Sequence, residues 1–231
     1  ASARGADTTT VAAAADLTFA LGEIAATYER DTGNRIRISF GSSGNLARQI
    51  PQGAPVDLFL AADEEDIFRL AAQGFLRDRG RLYAIGRIAL LAPHGSPLPV
   101  DGELQGLAAA LADGRLQRLA IANPEHAPYG RAARAALERA GLWQPLQGRL
   151  VLGDNVAQAA RFALSGSAQG GIVAWSLVRS PELAKRGLAA LIPESWHPPL
   201  RQRMALTRHA SEGAERFYDY LQQPAARAVF E

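Results

Sequence analysis

Four times along this chain of 231 residues a short apolar run stops at a tight turn and gives way to helical spacing. The turns are Ala15-Asp16, Ser42-Ser43, Pro128-Tyr129-Gly130 and Asp154-Asn155-Val156. Few architectures accept that pattern. Strand period followed by helix period, repeated, predicts βαβ units and parallel sheets. Each turn then places a helix start at the C-terminal edge of a sheet. Open α/β folds bind ligands at that edge, where unpaired N–H groups and the positive end of the helix dipole converge.

The second turn is the most legible. Ile36, Ile38 and Phe40 alternate with Arg35, Arg37 and Ser39 at strand period. Gly41 and Gly44 permit a sharp turn and a close backbone approach. Leu46 and Ile50 then share a helix face. The helix start carries two hydroxyls, Ser42 and Ser43, and suits an anion. The same residues also suit an ordinary serine N-cap. One such turn decides little. Four of them, two from each of two lobes, point to an anion held by neutral donors.

The rest of the chain follows the same alternation. Thr8–Ala14 is β-branched and then small, a first strand. Leu17, Leu21, Ile24 and Tyr28 give helical spacing, which Asp31-Thr32-Gly33-Asn34 breaks. Asp16 reads as the N-cap of that helix. Residues 56–60 form a third strand, with Asp57 as a turn partner and Asp63 as the cap of the next helix. Residues 82–92 read as one long buried strand. Leu119–Ala122, 150–152, Gly170–Ala174, 188–192 and 203–206 are further strands, and 214–221 and 225–230 are closing helices. This is too much for one simple sheet. It predicts two discontinuous α/β lobes, 1–84 with 204–231 and 85–203, with a ligand in the cleft between them. The chain would cross near 83–87 and near 199–203.

Composition narrows the function. Hydrophobic residues make up 48% and charged residues 21%, a globular balance. No apolar run is long enough to span a bilayer as a helix. A net charge of +2 offers nucleic acid no field, and the arginines form no block or stripe. The absence of Cys excludes disulfides, thiolate metal sites and cysteine nucleophiles, and fits an oxidising compartment. His94, His126, His197 and His209 are far apart and lack i,i+4 spacing, which argues against a metal site. No nucleophile elbow, Walker motif or dinucleotide fingerprint is present, so no catalytic residue is expected. The chain opens Ala1-Ser2-Ala3-Arg4-Gly5 without Met, as expected where a signal peptide has been removed or where the sequence was trimmed; the first is the expectation.

Five motifs taken together are specific. They are Val11-Ala12-Ala13-Ala14-Ala15-Asp16-Leu17-Thr18, Phe40-Gly41-Ser42-Ser43-Gly44, Gly53-Ala54-Pro55-Val56-Asp57-Leu58-Phe59-Leu60-Ala61-Ala62-Asp63, Asn123-Pro124-Glu125-His126-Ala127-Pro128-Tyr129-Gly130 and Gly171-Ile172-Val173. In this order the chain resembles the periplasmic molybdate-binding proteins of ABC transporters over nearly its whole length. The resemblance implies a two-lobed type II periplasmic binding protein fold, each lobe a mainly parallel sheet flanked by helices. It implies a tetrahedral oxyanion ligand, molybdate or tungstate, with no cofactor and no metal beyond the molybdenum of that ligand. By position the oxyanion-binding residues are Ala15, Asp16, Ser43, Tyr129 and Val156. Ser43 donates its hydroxyl and N–H; the others donate backbone N–H groups. The implied partner is a membrane ABC permease that receives the closed, liganded form. The implied state is a periplasmic monomer.

Two departures stand out. Many relatives carry a serine donor where this chain has Asp16, and an ionised carboxylate only accepts. Asp16 is therefore expected to turn its carboxylate to its own helix and offer its N–H. Some relatives place a tyrosine where this chain has Ala174. Tyr129 partly substitutes for it, or its ring packs or faces solvent. The alternatives are a sulfate-binding or phosphate-binding protein, and the effector-sensing domain of a transcription regulator. Phosphate keeps a proton near neutral pH and needs an acceptor, a role open to Asp16. Iron binding needs adjacent tyrosines, which Tyr218-Asp219-Tyr220 does not supply.

Overall fold

The computed structural model describes residues 7–231. The opening Ala1-Ser2-Ala3-Arg4-Gly5, and with it the expected loss of a signal peptide, lies outside the described residues. The first stretch holds β1 (Thr8–Ala14), α1 (Ala20–Thr32), β2 (Arg35–Gly41), α2 (Ser43–Gln49), β3 (Leu58–Ala61), α3 (Glu64–Ala72) and β4 (Arg81–Gly86). Next come β5 (Ile88–Pro93), α4 (Gln105–Ala112), β6 (Leu119–Ala122), α5 (Pro128–Arg139), β7 (Leu150–Gly153), α6 (Val156–Leu164), β8 (Gly170–Ala174), α7 (Trp175–Val178), α8 (Pro181–Ala184) and β9 (Gly187–Leu191). The chain closes with β10 (Leu200–Leu206), α9 (Glu212–Leu221) and α10 (Pro224–Phe230). It divides into two units. One runs to Ile85 and resumes as Arg201–Glu231; the other is Gly86–Leu200.

The sheet of the first unit has the order β2-β1-β3-β10-β4. β1 is parallel to β2 and β3, and β10 runs antiparallel to β3. Strand alternation splits its core in two. Val11, Ala13, Leu58, Leu60, Met204 and Leu206 pack with Leu21, Ile24 and Tyr28 of α1 and with Phe217 and Leu221 of α9. Ala12, Phe59, Ala61 and Ala205 pack with Leu46 of α2 and with Ile67 and Leu70 of α3. Strands covered on both faces need no polar side, so β1 and β3 read as continuous apolar runs. Tyr220 belongs to the first core, its ring centroid 4.9 Å from that of Tyr28.

The sheet of the second unit has the order β7-β6-β8-β5-β9. β6 is parallel to β7 and β8, while β5 runs antiparallel to β8 and β9. Its central strands β6 and β8 are buried throughout, and β5 up to Pro93.

The structure corrects the reading of 82–92 as one buried strand. β4 joins the first sheet and β5 the second, with Arg87 between them. Leu82 and Ile85 are 39% and 42% exposed because β4 ends its sheet's strand order. An apolar run carries no mark of where the chain changes sheets. β10 also starts earlier than expected, at Leu200, and the short α7 and α8 were not expected, although Ser180-Pro181-Glu182 carries the cap, first-turn proline and acid of a helix start.

Candidate functional site

In the first unit the strand register brings two donor turns together. Ala14 pairs with Gly41 and Ala13 with Leu60, so β1, β2 and β3 end at one edge. The Ala15–Leu17 3-10 turn therefore lies beside the start of α2. Ser42 occupies the N-cap position of α2, yet its side chain makes no capping hydrogen bond. Ser43 is the first helical residue and is fully buried. Its hydroxyl oxygen accepts the Ala62 N–H at 2.7 Å. That bond uses an oxygen lone pair and leaves the hydroxyl hydrogen to donate.

The expectation that Asp16 caps its own helix is wrong. Asp16 lies inside the 3-10 turn, which Thr18 closes through N–H and hydroxyl bonds to the Ala15 carbonyl at 3.2 and 2.7 Å. α1 starts only at Ala20, so the turn separates Asp16 from that helix's N–H groups. Its carboxylate Oδ2 instead accepts from the Gln202 side-chain amide of β10 at 2.9 Å. Burial, and then the Asp16 charge, push the Tyr83 phenol well above its ordinary pKa. Asp63 does cap α3, accepting the Glu65 N–H. Asp57 takes the Thr10 and Ser211 N–H groups, as a turn partner should.

The arginines that flank Gln202 on β10 share one carboxylate. Arg201 and Arg203, the neighbours of Gln202, both bond Glu64 at the start of α3, at 2.7 and 3.1 Å. Burial alone would raise the Glu64 carboxyl, but the two arginines outweigh it and hold the pKa below its ordinary 4.5. A lowered folded-state pKa stabilises above the unfolded value and stops doing so as pH falls through the folded one. Glu64→Gln should therefore melt below the parent at pH 7, and the gap should close as pH falls through the lowered Glu64 pKa. A gap that stays unchanged across an acid titration in thermal melts would show that the pair contributes nothing.

In the second unit Ala122 pairs with Gly153, so β6 and β7 also end together. This brings Tyr129 and Val156 to one edge. Pro128 is the first residue of α5 and has no N–H, so the first donor that helix offers is Tyr129. Tyr129 is 3% exposed, so its ring packs and does not face solvent. A side chain at Gly130 would strike the Ala122 carbonyl, and one at Gly153 would strike the Ala159 backbone. Both glycines let a helix start close onto its strand end. At α6 the Asn155 side chain accepts the Gln158 N–H at 3.0 Å, and the Gln158 side chain accepts the Asp154 N–H at 2.6 Å. This reciprocal cap leaves the Val156 and Ala157 N–H groups to open the helix. Ala174 is fully buried and supplies no side-chain donor.

The residues that the sequence reading missed are Ala62, Gln202 and Tyr83. Ala62 acts through its backbone and leaves no signal. Gln202 had one: it is the polar member of the row Leu200, Gln202, Met204 and Leu206. Among the described residues, no group of three or more His, Asp or Glu is placed to hold a metal ion.

A discontinuous two-unit chain with helix starts paired at strand ends in each unit has the architecture of a solute-binding protein. The chain belongs to the bacterial extracellular solute-binding protein family, whose model matches residues 9–231. It is 35% identical over 222 residues to the molybdate-binding protein ModA of Azotobacter vinelandii, covering 95% of this chain and 86% of that protein. It is 32% identical over 221 residues to the molybdate-binding protein ModA of Rhodobacter capsulatus, covering 94% and 84%. The solved structure of the Azotobacter vinelandii periplasmic molybdate-binding protein matches with a TM-score of 0.87 at 31% identity, over 96% of each chain. The type II binding-protein fold implied by the sequence motifs is the fold observed.

Proposed function

We propose that this protein binds molybdate or tungstate outside the cytoplasm and presents it to an ABC permease, without catalysing a reaction. The observation that carries this reading is Ser43. Its buried hydroxyl accepts from Ala62 and so is left to donate, beside the Ala15–Leu17 turn at the same sheet edge. The hydroxyl and N–H of Ser43 and the N–H groups of Ala15 and Asp16 serve from the first unit. The N–H groups of Tyr129 and Val156 serve from the second. Such donors replace the water that a buried dianion loses. They suit a ligand that only accepts, as molybdate does at neutral pH. Phosphate brings a proton and needs an acceptor, and the Gln202 amide draws the Asp16 carboxylate toward β10. The similarity to two molybdate-binding proteins over nearly the whole chain supports the same ligand. The protein would work as a monomer in the periplasm after loss of its signal peptide.

Native mass spectrometry tests the reading. Ligand-free protein is incubated with equimolar molybdate, tungstate, sulfate and phosphate. The expected adduct carries molybdenum or tungsten. A sulfate or phosphate adduct of equal abundance would sink the assignment.

A further inference from the structure

Arg201 and Arg203 on β10 bond Glu64, while Leu200, Gln202, Met204 and Leu206 fill the alternate positions. Met204 and Leu206 belong to the core beneath α1 and α9. Gln202, at 2% exposure, is an amide in an apolar row. An amide buried there is costly unless it is hydrogen-bonded. Its Nε2 donates to Oδ2 of Asp16, a carboxylate 2% exposed at the first donor turn. Tyr83 packs against the same core, and its buried hydroxyl, which has no hydrogen-bond partner among the described residues, feels the Asp16 charge. The Gln202 bond puts the carboxylate on the sheet side of its turn.

A carboxylate at an oxyanion turn opposes a dianion twice. It carries the same sign of charge, and it has nothing to donate. We propose that Gln202 is a positioning residue for oxyanion selection. Its side-chain amide holds the Asp16 carboxylate on β10, so that the turn presents N–H groups alone to a tetrahedral dianion. This rests on the function proposed above and adds a selectivity role outside the donor set. Gln202 touches no ligand in it; it acts through Asp16.

Calorimetry with molybdate on the parent, Gln202→Met and Gln202→Met/Asp16→Asn tests it. Methionine keeps the length of the side chain and removes the amide. Gln202→Met should weaken molybdate binding by about 10- to 100-fold, the range expected for a lost hydrogen bond to a charged group. Adding Asp16→Asn should recover most of that loss, which a merely structural glutamine would not permit. Unchanged binding by Gln202→Met, or no recovery in the double variant, overturns the inference while leaving the function intact. A parent that binds no molybdate overturns both. If Gln202→Met does not fold, a crystal structure of the parent with molybdate decides. Gln202 on the Asp16 carboxylate, with both carboxylate oxygens clear of the anion, supports the proposal. A carboxylate oxygen within hydrogen-bond distance of the anion overturns it.

Discussion

Molybdate at about 1,000 times its dissociation constant should raise the melting temperature of this protein by roughly 8–16 °C. The size follows from linkage. A ligand that binds only the folded chain stabilises it by about 4 kcal/mol at that excess. For a chain of this length each kcal/mol moves the midpoint by about 2–4 °C. Phosphate at the same concentration should move it by almost nothing, because the helix starts offer donors and the Gln202 amide draws the Asp16 carboxylate toward β10. A thermal melt with each anion in turn is the measurement. Equal shifts with molybdate and phosphate would mean that the donor set does not discriminate between them.

Ser43→Ala should be the most damaging conservative change at the donor turns, and it should act twice. In the complex it removes one charge-assisted hydrogen bond, worth about 1.5–3 kcal/mol. That corresponds to roughly a 10- to 150-fold weaker dissociation constant. In the ligand-free protein it strands the Ala62 N–H, whose acceptor is the Ser43 hydroxyl and whose residue is 1% exposed. An orphaned buried donor costs about 1–3 kcal/mol of stability. Val156→Ala is the control. It trims a buried side chain, 4% exposed, but keeps the backbone N–H that opens α6. Its stability should fall while its affinity changes far less. Titrations of both variants at one pH and salt, well below their melting temperatures, separate the two effects. If Val156→Ala loses as much affinity as Ser43→Ala, the division between side-chain and backbone donors is wrong.

Local chemistry explains what was legible before any coordinates. Thr8–Ala14 matches its strand end to end, because β-branched and small residues suit a strand buried on both faces. Asp63 was readable as a cap because its partner is the Glu65 N–H two residues on. The start of α5 was readable because proline at the first helical position acts on its own backbone. Of the five proposed anion-binding positions, Ala15, Asp16, Ser43 and Tyr129 fall within the short motifs that carry the resemblance, and Val156 was carried over by position outside them.

Other features depended on partners distant in the chain. Ala15, Asp16 and Ser43 share an edge because Ala14 pairs with Gly41, a register that no local stretch specifies. The 82–92 run looked like one strand because apolar periodicity records burial and not the sheet that provides it. Asp16 looked like a helix cap because capping is the nearest use for a turn aspartate. Its partner, Gln202, lies on a strand that enters the sheet 186 positions later. The sequence by itself determined the strands, the helix starts and the kind of donor at each turn, since these depend on neighbours a few residues away. Tertiary structure alone decided which turns stand together, how the Ser43 hydroxyl is aimed and where the Asp16 charge is kept. Each of those depends on hydrogen bonds between segments that only folding brings within reach.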